Sequence, residues 1–110
     1  MAFRSSTAAE YGIGVVAIVV NNGGYANVRR DQTERFGGRT YGADFRNPDF
    51  AKLADGFGVA YARADTAAAL RPALAGALHA NAPALIEIRL GPGDEATPWP
   101  FLHPNGFAGK

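Results

Sequence analysis

Asn21, Asn22, Gly23, Gly24 and Tyr25 follow one another in the chain, and no other five residues concentrate as much possible chemistry. A carboxamide oxygen is a neutral, hard donor suited to Mg²⁺ or Ca²⁺. Glycines beside it let backbone carbonyls or amides approach the same ion or a phosphate. A helix opening at Tyr25 would aim unpaired N–H groups at an anion. Together these features can hold a metal-bridged diphosphate. Asn and Gly are also the commonest turn formers, so a plain turn accounts for the same letters.

Other residues invite weaker readings. Arg29, Arg30, Arg35, Arg39 and Arg46 share a stretch with Tyr25, Phe36, Tyr41 and Phe45. Such interleaving can mark an anion or nucleic-acid surface. Asp31, Glu34 and Asp44 dilute it, which favours a solvated, ion-paired face or a subunit contact. Gly12-Ile13-Gly14-Val15-Val16-Ala17 spells the dinucleotide pattern G-x-G-x-x-A. That fingerprint must follow a strand and open a helix, and here it precedes the strand. His79 and His103 have no second ligand at metal spacing, so they read as a helix end and a loop residue. Glu87 shows no partner nearby in sequence and is expected on the polar face of an edge strand. Residues 99–102, Trp-Pro-Phe-Leu, make an apolar patch in a proline-bound tail.

These residues need elements to position them. Residues 15–20, Val-Val-Ala-Ile-Val-Val, form an unbroken β-branched run, the signature of a strand buried on both faces in a parallel sheet. Its carboxyl end is the Asn-Asn-Gly-Gly turn, where open α/β sheets place their ligands. A short helix within residues 3–11, from Ser5 or Ser6 to Tyr11 and closed by Gly12, precedes a strand over 14–20. A helix over 25–35 and a glycine-rich loop over 37–47 follow. Asn47-Pro48-Asp49 reads as a helix start with Asn47 as N-cap, and Phe50, Leu53, Ala54 and Phe57 share one helical face. Strands are expected at 59–64 and 84–90. Between them runs a helix from the Asp65-Thr66 cap to His79, which Pro72 either shortens or kinks. In the last strand Ile86, Ile88 and Leu90 alternate with Glu87 and Arg89. Strands alternating with helices imply an α/β fold, a parallel sheet with helices on both faces. The first strand wants a neighbour on each side, and three strands do not obviously supply both.

Composition narrows the function classes. The chain has 110 residues, 47% hydrophobic content and a net charge of +1. This suits a packed core and gives no global attraction for nucleic acid or acidic membrane. Absence of cysteine excludes disulfides and thiolate metal sites, and fits the cytoplasm. The apolar run is too short to span a bilayer.

From Glu10 onward the chain resembles the carboxyl-terminal domain of thiamine diphosphate-dependent enzymes of the acetolactate synthase, pyruvate oxidase and benzoylformate decarboxylase group. The resemblance is carried by Tyr11-Gly12 before the strand, Val20-Asn21-Asn22-Gly23-Gly24-Tyr25, and Asn47-Pro48-Asp49-Phe50 with Leu53-Ala54. Phe57-Gly58-Val59 and Ala82-Pro83-Ala84-Leu85-Ile86-Glu87-Ile88 complete it. It spans about residues 6–90. It implies that Asn22 ligates Mg²⁺ through its side-chain oxygen, that Gly24 gives its carbonyl to the same ion, and that Tyr25 lies against the thiamine diphosphate. Asn21 would fix the turn.

The family's motif opens with Gly-Asp-Gly, and no such triplet occurs in this sequence. The aspartate that supplies the charged metal ligand is therefore missing, as is the domain whose glutamate activates the cofactor. The expectation is the later half of a thiamine diphosphate-binding domain over residues 1–90 with an irregular tail over 91–110. It would be a fragment or truncated product that holds cofactor and Mg²⁺ weakly or not at all, with no catalytic residue of its own. In the intact family the substrate is a small 2-keto acid, decarboxylated or carboligated. A homo-oligomer, or a chain that supplies the missing domains, is the implied partner. The rival expectations are a non-catalytic α/β interaction module and an incomplete gene product.

Overall fold

The computed structural model describes residues 2–91 and Asp94, with side chains from Thr7 onward. Its elements run α1 Ala2–Tyr11, β1 Val16–Asn21, α2 Ala26–Arg35, α3 Phe50–Phe57, β2 Ala60–Ala64, α4 Ala67–Ala80 and β3 Ala84–Arg89. The expected tail patch around Trp99 and His103 lies outside the described residues.

The three strands form one parallel sheet in the order β1-β3-β2. Ile86 stands beside both Ile18 and Ala62 in the register. Side chains aligned in this way point to the same face, so even-numbered strand residues share one face and odd-numbered residues the other. The odd face carries the core. Leu85 packs with Phe50, Ala54 and Val59, flanked by Ala9, Val19, Leu53, Phe57 and Tyr61. That cluster joins α1 and α3 to the sheet and confirms the helical face expected over residues 50–57. Ile86, on the even face, is wholly buried, and α4, packed on β2 and β3, is the helix that covers it.

β1 is an edge strand of this sheet, and β3 takes the centre. The long apolar run therefore has one neighbour where its composition asks for two. Ile18 and Val20 on its even face are 46% and 56% exposed, because α4 lies mainly over the other two strands. Glu87 departs from expectation in the opposite direction. It sits on the central strand and is 4% exposed, since β1 and β2 flank it on both sides and the odd face is covered.

One helix boundary also differs from the sequence reading. α3 begins at Phe50 with Asp49 as its N-cap, whose carboxylate accepts the Lys52 N–H at 3.1 Å. Asn47 is not the cap, because its side chain is turned to Asn21. α4 begins at Ala67 under a Thr66 cap and continues through Pro72. The carbonyl that loses its partner belongs to Ala68, which is exposed to water. α2 buries none of its residues, as its nearly uniform polarity requires. Among the described residues, no helix is long and apolar enough to cross a membrane.

Candidate functional site

The turn after β1 is built by its own side chains. The Asn21 Oδ1 accepts the Gly23 N–H at 3.1 Å, and the Asn22 Oδ1 accepts the Gly24 N–H at 3.4 Å. Two successive Asx-type turns curl the chain at the carboxyl end of the strand. Gly23 adopts φ +71°, a conformation that other residues resist. Gly24 is closed in by its surroundings. A Cβ there would meet the tip of the Arg29 side chain, and the Ala43 carbonyl oxygen at 2.5 Å. A short antiparallel contact with Asp44 secures the turn, through Tyr25 N–H to Ala43 O at 2.7 Å and Phe45 N–H to Gly23 O at 3.2 Å.

Tyr25 precedes α2 as its N-cap, and its ring packs on Phe45 with centroids 4.7 Å apart. Its N–H is spent on Ala43, so an anion at this helix end would meet the amides that follow. The Tyr25 side chain makes no capping hydrogen bond, and the first turn of α2 contains no acidic residue. The first turn therefore brings no negative charge of its own to the positive end of the helix dipole. Asp44, opposite Gly24, is committed to Arg29.

Behind the turn lies an open cleft of about 780 Å³ above the carboxyl ends of the strands. Asn21 and Gly23 line it, with Tyr61 and Arg63 of β2, Glu87 and Arg89 of β3, and the segment leading into α3. All the strand residues are odd-numbered, so they share a face. Asn22 and Gly24, expected to face a crevice, are not among its walls.

One hydrogen-bonded network fills the cleft floor. The Asn21 Nδ2 donates to Glu87 Oε2 at 2.6 Å, and the Tyr61 hydroxyl donates to Glu87 Oε1 at 2.6 Å. The Asn47 Nδ2 donates to Asn21 Oδ1 at 2.6 Å. Arg89 stands 3.8 Å from Glu87. Burial, reinforced by the bond to Glu87, pushes the Tyr61 hydroxyl up to about 12, so it remains a donor at neutral pH. Arg63 is turned outward to Asp65 at 2.9 Å, and that hydrogen bond holds the Asp65 carboxyl below its ordinary value.

Sequence reasoning missed Glu87, Tyr61 and Asn47 as members of this cluster. The available signal was one carboxylate inside the apolar run Ala84-Leu85-Ile86-Glu87-Ile88, with an asparagine ending the neighbouring strand. The arginine stretch resolves mostly into local pairing. Arg29 bonds Asp44, Arg35 bonds Asp31 at 2.8 Å, and Arg39 donates to the Phe36 carbonyl. Among the described residues, no three His, Cys, Asp or Glu side chains gather as a metal site. A divalent ion at the turn would rely on amide and carbonyl oxygens. Asn22 and Gly24 match that donor set, though they bring no charge to it.

Comparison with known proteins agrees with this fold. Residues 4–88 match the family model described as the thiamine pyrophosphate enzyme, C-terminal TPP binding domain. The mitochondrial acetolactate synthase catalytic subunit of Aspergillus candidus is 34% identical over 83 residues, covering 76% of this chain and 12% of that protein. The solved thiamine diphosphate-dependent 4-hydroxybenzoylformate decarboxylase of Rhodococcus jostii RHA1 superposes with a TM-score of 0.72 at 37% identity. That match covers 86% of this chain and 18% of the decarboxylase. The chain thus spans less than a fifth of either relative. A parallel α/β sheet with a built Asn-Asn-Gly-Gly turn at its carboxyl end, and a family match over most of the sequence, lead to one assignment: this chain belongs to the C-terminal, cofactor-binding domains of the thiamine pyrophosphate enzymes.

Proposed function

We propose that the turn over residues 21–25 holds the diphosphate end of thiamine diphosphate together with Mg²⁺. The Asn22 side-chain oxygen and the Gly24 carbonyl would ligate the ion, with Tyr25 beside the diphosphate. The observation that carries this reading is the Gly24 cradle. The Ala43 carbonyl leaves no room for a side chain at Gly24, and the start of α2, whose first turn carries no acidic residue, adjoins it. Asn22 fixes the turn by accepting the Gly24 N–H. The α2 N-terminus offers amide N–H groups and a positive dipole end to the phosphates. When bound, the cofactor supplies a stabilised carbanion for 2-keto acid chemistry.

The chain would serve as the cofactor-binding part of a decarboxylase or acetolactate synthase-like enzyme. Further domains or a second chain would supply the reacting groups. Mg²⁺ favours octahedral sites with a carboxylate. With neutral oxygens only, binding to the 110-residue chain alone should be weak. Calorimetric titration with thiamine diphosphate, with and without Mg²⁺, tests the reading. Weak Mg²⁺-dependent binding that Asn22→Ala abolishes is the expected result. Binding that ignores both the metal and Asn22→Ala would overturn it. With pyruvate or benzoylformate, the chain alone should show no turnover. The rival reading, an interaction module, draws on α2, which buries none of its residues. It predicts no Mg²⁺-dependent heat at all.

A further inference from the structure

We infer that Glu87 is a positioning residue for the turn that bears Asn22 and Gly24, acting through the carboxamide of Asn21. The inference rests on the reading of that turn as the diphosphate and metal cradle. Glu87 occupies the centre of the sheet and is 4% exposed. Burying a carboxylate there is costly unless its oxygens are hydrogen-bonded. The fold alone would be served by an apolar residue, as it is by Leu85 two positions earlier on the same face.

The carboxylate gives the site a fixed polarity. An ionised carboxylate only accepts, so it selects the NH₂ end of the Asn21 amide, which donates to it at 2.6 Å. That choice sends Oδ1 to the other side. There it receives the Gly23 N–H at 3.1 Å and the Asn47 Nδ2 at 2.6 Å. A reversed amide would set donor against donor at both contacts and oxygen against oxygen at Glu87. The relay therefore begins at a buried acceptor on β3 and ends at the peptide N–H between Asn22 and Gly24. Asn47 ties the loop before α3 to the same atom. Tyr61 holds the second carboxylate oxygen at 2.6 Å, so the carboxylate is fixed from β2 as well.

A polarity swap tests the relay. In Asn21→Asp, two carboxylates would face each other at a contact now 2.6 Å long. In the double variant N21D/E87Q, a carboxamide at 87 donates to a carboxylate at 21. The carboxylate still accepts from Gly23 and Asn47, and Tyr61 still donates to the oxygen at 87. Amide hydrogen exchange is read by NMR on the 110-residue chain, alongside its melting temperature. Protection of the Gly23 amide should fall about tenfold in Asn21→Asp relative to the β3 amides, as expected for one lost hydrogen bond. In the double variant it should return to within about twofold of the parent. Unchanged Gly23 protection in Asn21→Asp would overturn the inference. So would a double variant that fails to fold, or that folds with Gly23 unprotected. Should Asn21→Asp alone not fold, recovery of both folding and Gly23 protection in N21D/E87Q gives the supporting result. Titration of the same proteins with Mg²⁺ and thiamine diphosphate separates the two readings. Restored protection without cofactor binding in any of them keeps the relay and removes the cofactor assignment.

Discussion

β1 ends in a closely hydrogen-bonded polar site, yet among the described residues its outer edge is left open. Asn21 is 8% exposed, and its side chain and carbonyl bond to Glu87, Gly23, Asn47 and Leu90. One and three residues earlier, Val20 and Ile18 are about half exposed. The same strand is thus finished at its carboxyl end by groups from its own chain and unfinished along its side. Polar groups are matched by a few local partners, whereas an apolar strand edge needs another strand or helix. The described residues carry the supports of the turn and leave the outer edge of β1 uncovered.

The largest expected effect lies at the open edge. An unpaired apolar strand is a template for pairing with another chain, so the isolated protein should self-associate at micromolar concentration. Val20→Lys should shift sedimentation velocity towards the monomer. A sharp monomer for the parent chain, with a cooperative melt, would break the contrast by showing that the edge needs no cover.

The next effect lies at the anchored end. Glu87→Ala strips the acceptor from both Asn21 and Tyr61, and should destabilise the fold by about 3 kcal/mol in chemical denaturation. A loss below about 1 kcal/mol would mean that water replaces the carboxylate without penalty.

Tyr61 sharpens the contrast through pH. Its hydroxyl titrates at 10.0 when unperturbed and at about 12 in the fold. The folded state therefore keeps a proton that the unfolded state releases, and stability declines as pH rises from 10 to 12. The contribution is complete below pH 10. Tyr61→Phe should flatten this decline, as seen in melting temperatures across the alkaline range. An equally steep decline in the variant would assign the loss to other groups.

Asp49 provides the smallest and most local test. Asp49→Ala removes the cap of α3 and should cost about 1 kcal/mol. Gly23 protection should stay unaltered, because Asn47 rather than the cap bonds Asn21.

Much of this architecture was legible in the residues. The β-branched run over residues 15–20, the apolar face of Phe50, Leu53, Ala54 and Phe57, and the Thr66 cap each follow from local rules of period and capping. The position of the turn at a strand's carboxyl end followed from the same run ending in two carboxamides. The boundary at Asn47 could not be read locally. Asn47 and Asp49 are both good caps, and only the Asn21 contact, 26 residues away in sequence, removes one from the choice.

The sequence by itself determined the three strands, the four helices, the parallel α/β class and the chemical character of Asn22 and Gly24. These depend on side-chain period, turn preference and donor type, all properties of neighbours along the chain. Tertiary structure alone decided the strand order, and the order decided the rest. With β3 between β1 and β2, Glu87 enters the interior and meets an asparagine 66 residues away. With β1 at the edge, Ile18 and Val20 on its even face lie beyond the main cover of α4 and stay about half exposed. A strand's own letters report which residues share a face. Which strand lies beside it is fixed by how helices α3 and α4 pack across the two faces of the sheet, and that packing sums contacts along the whole chain.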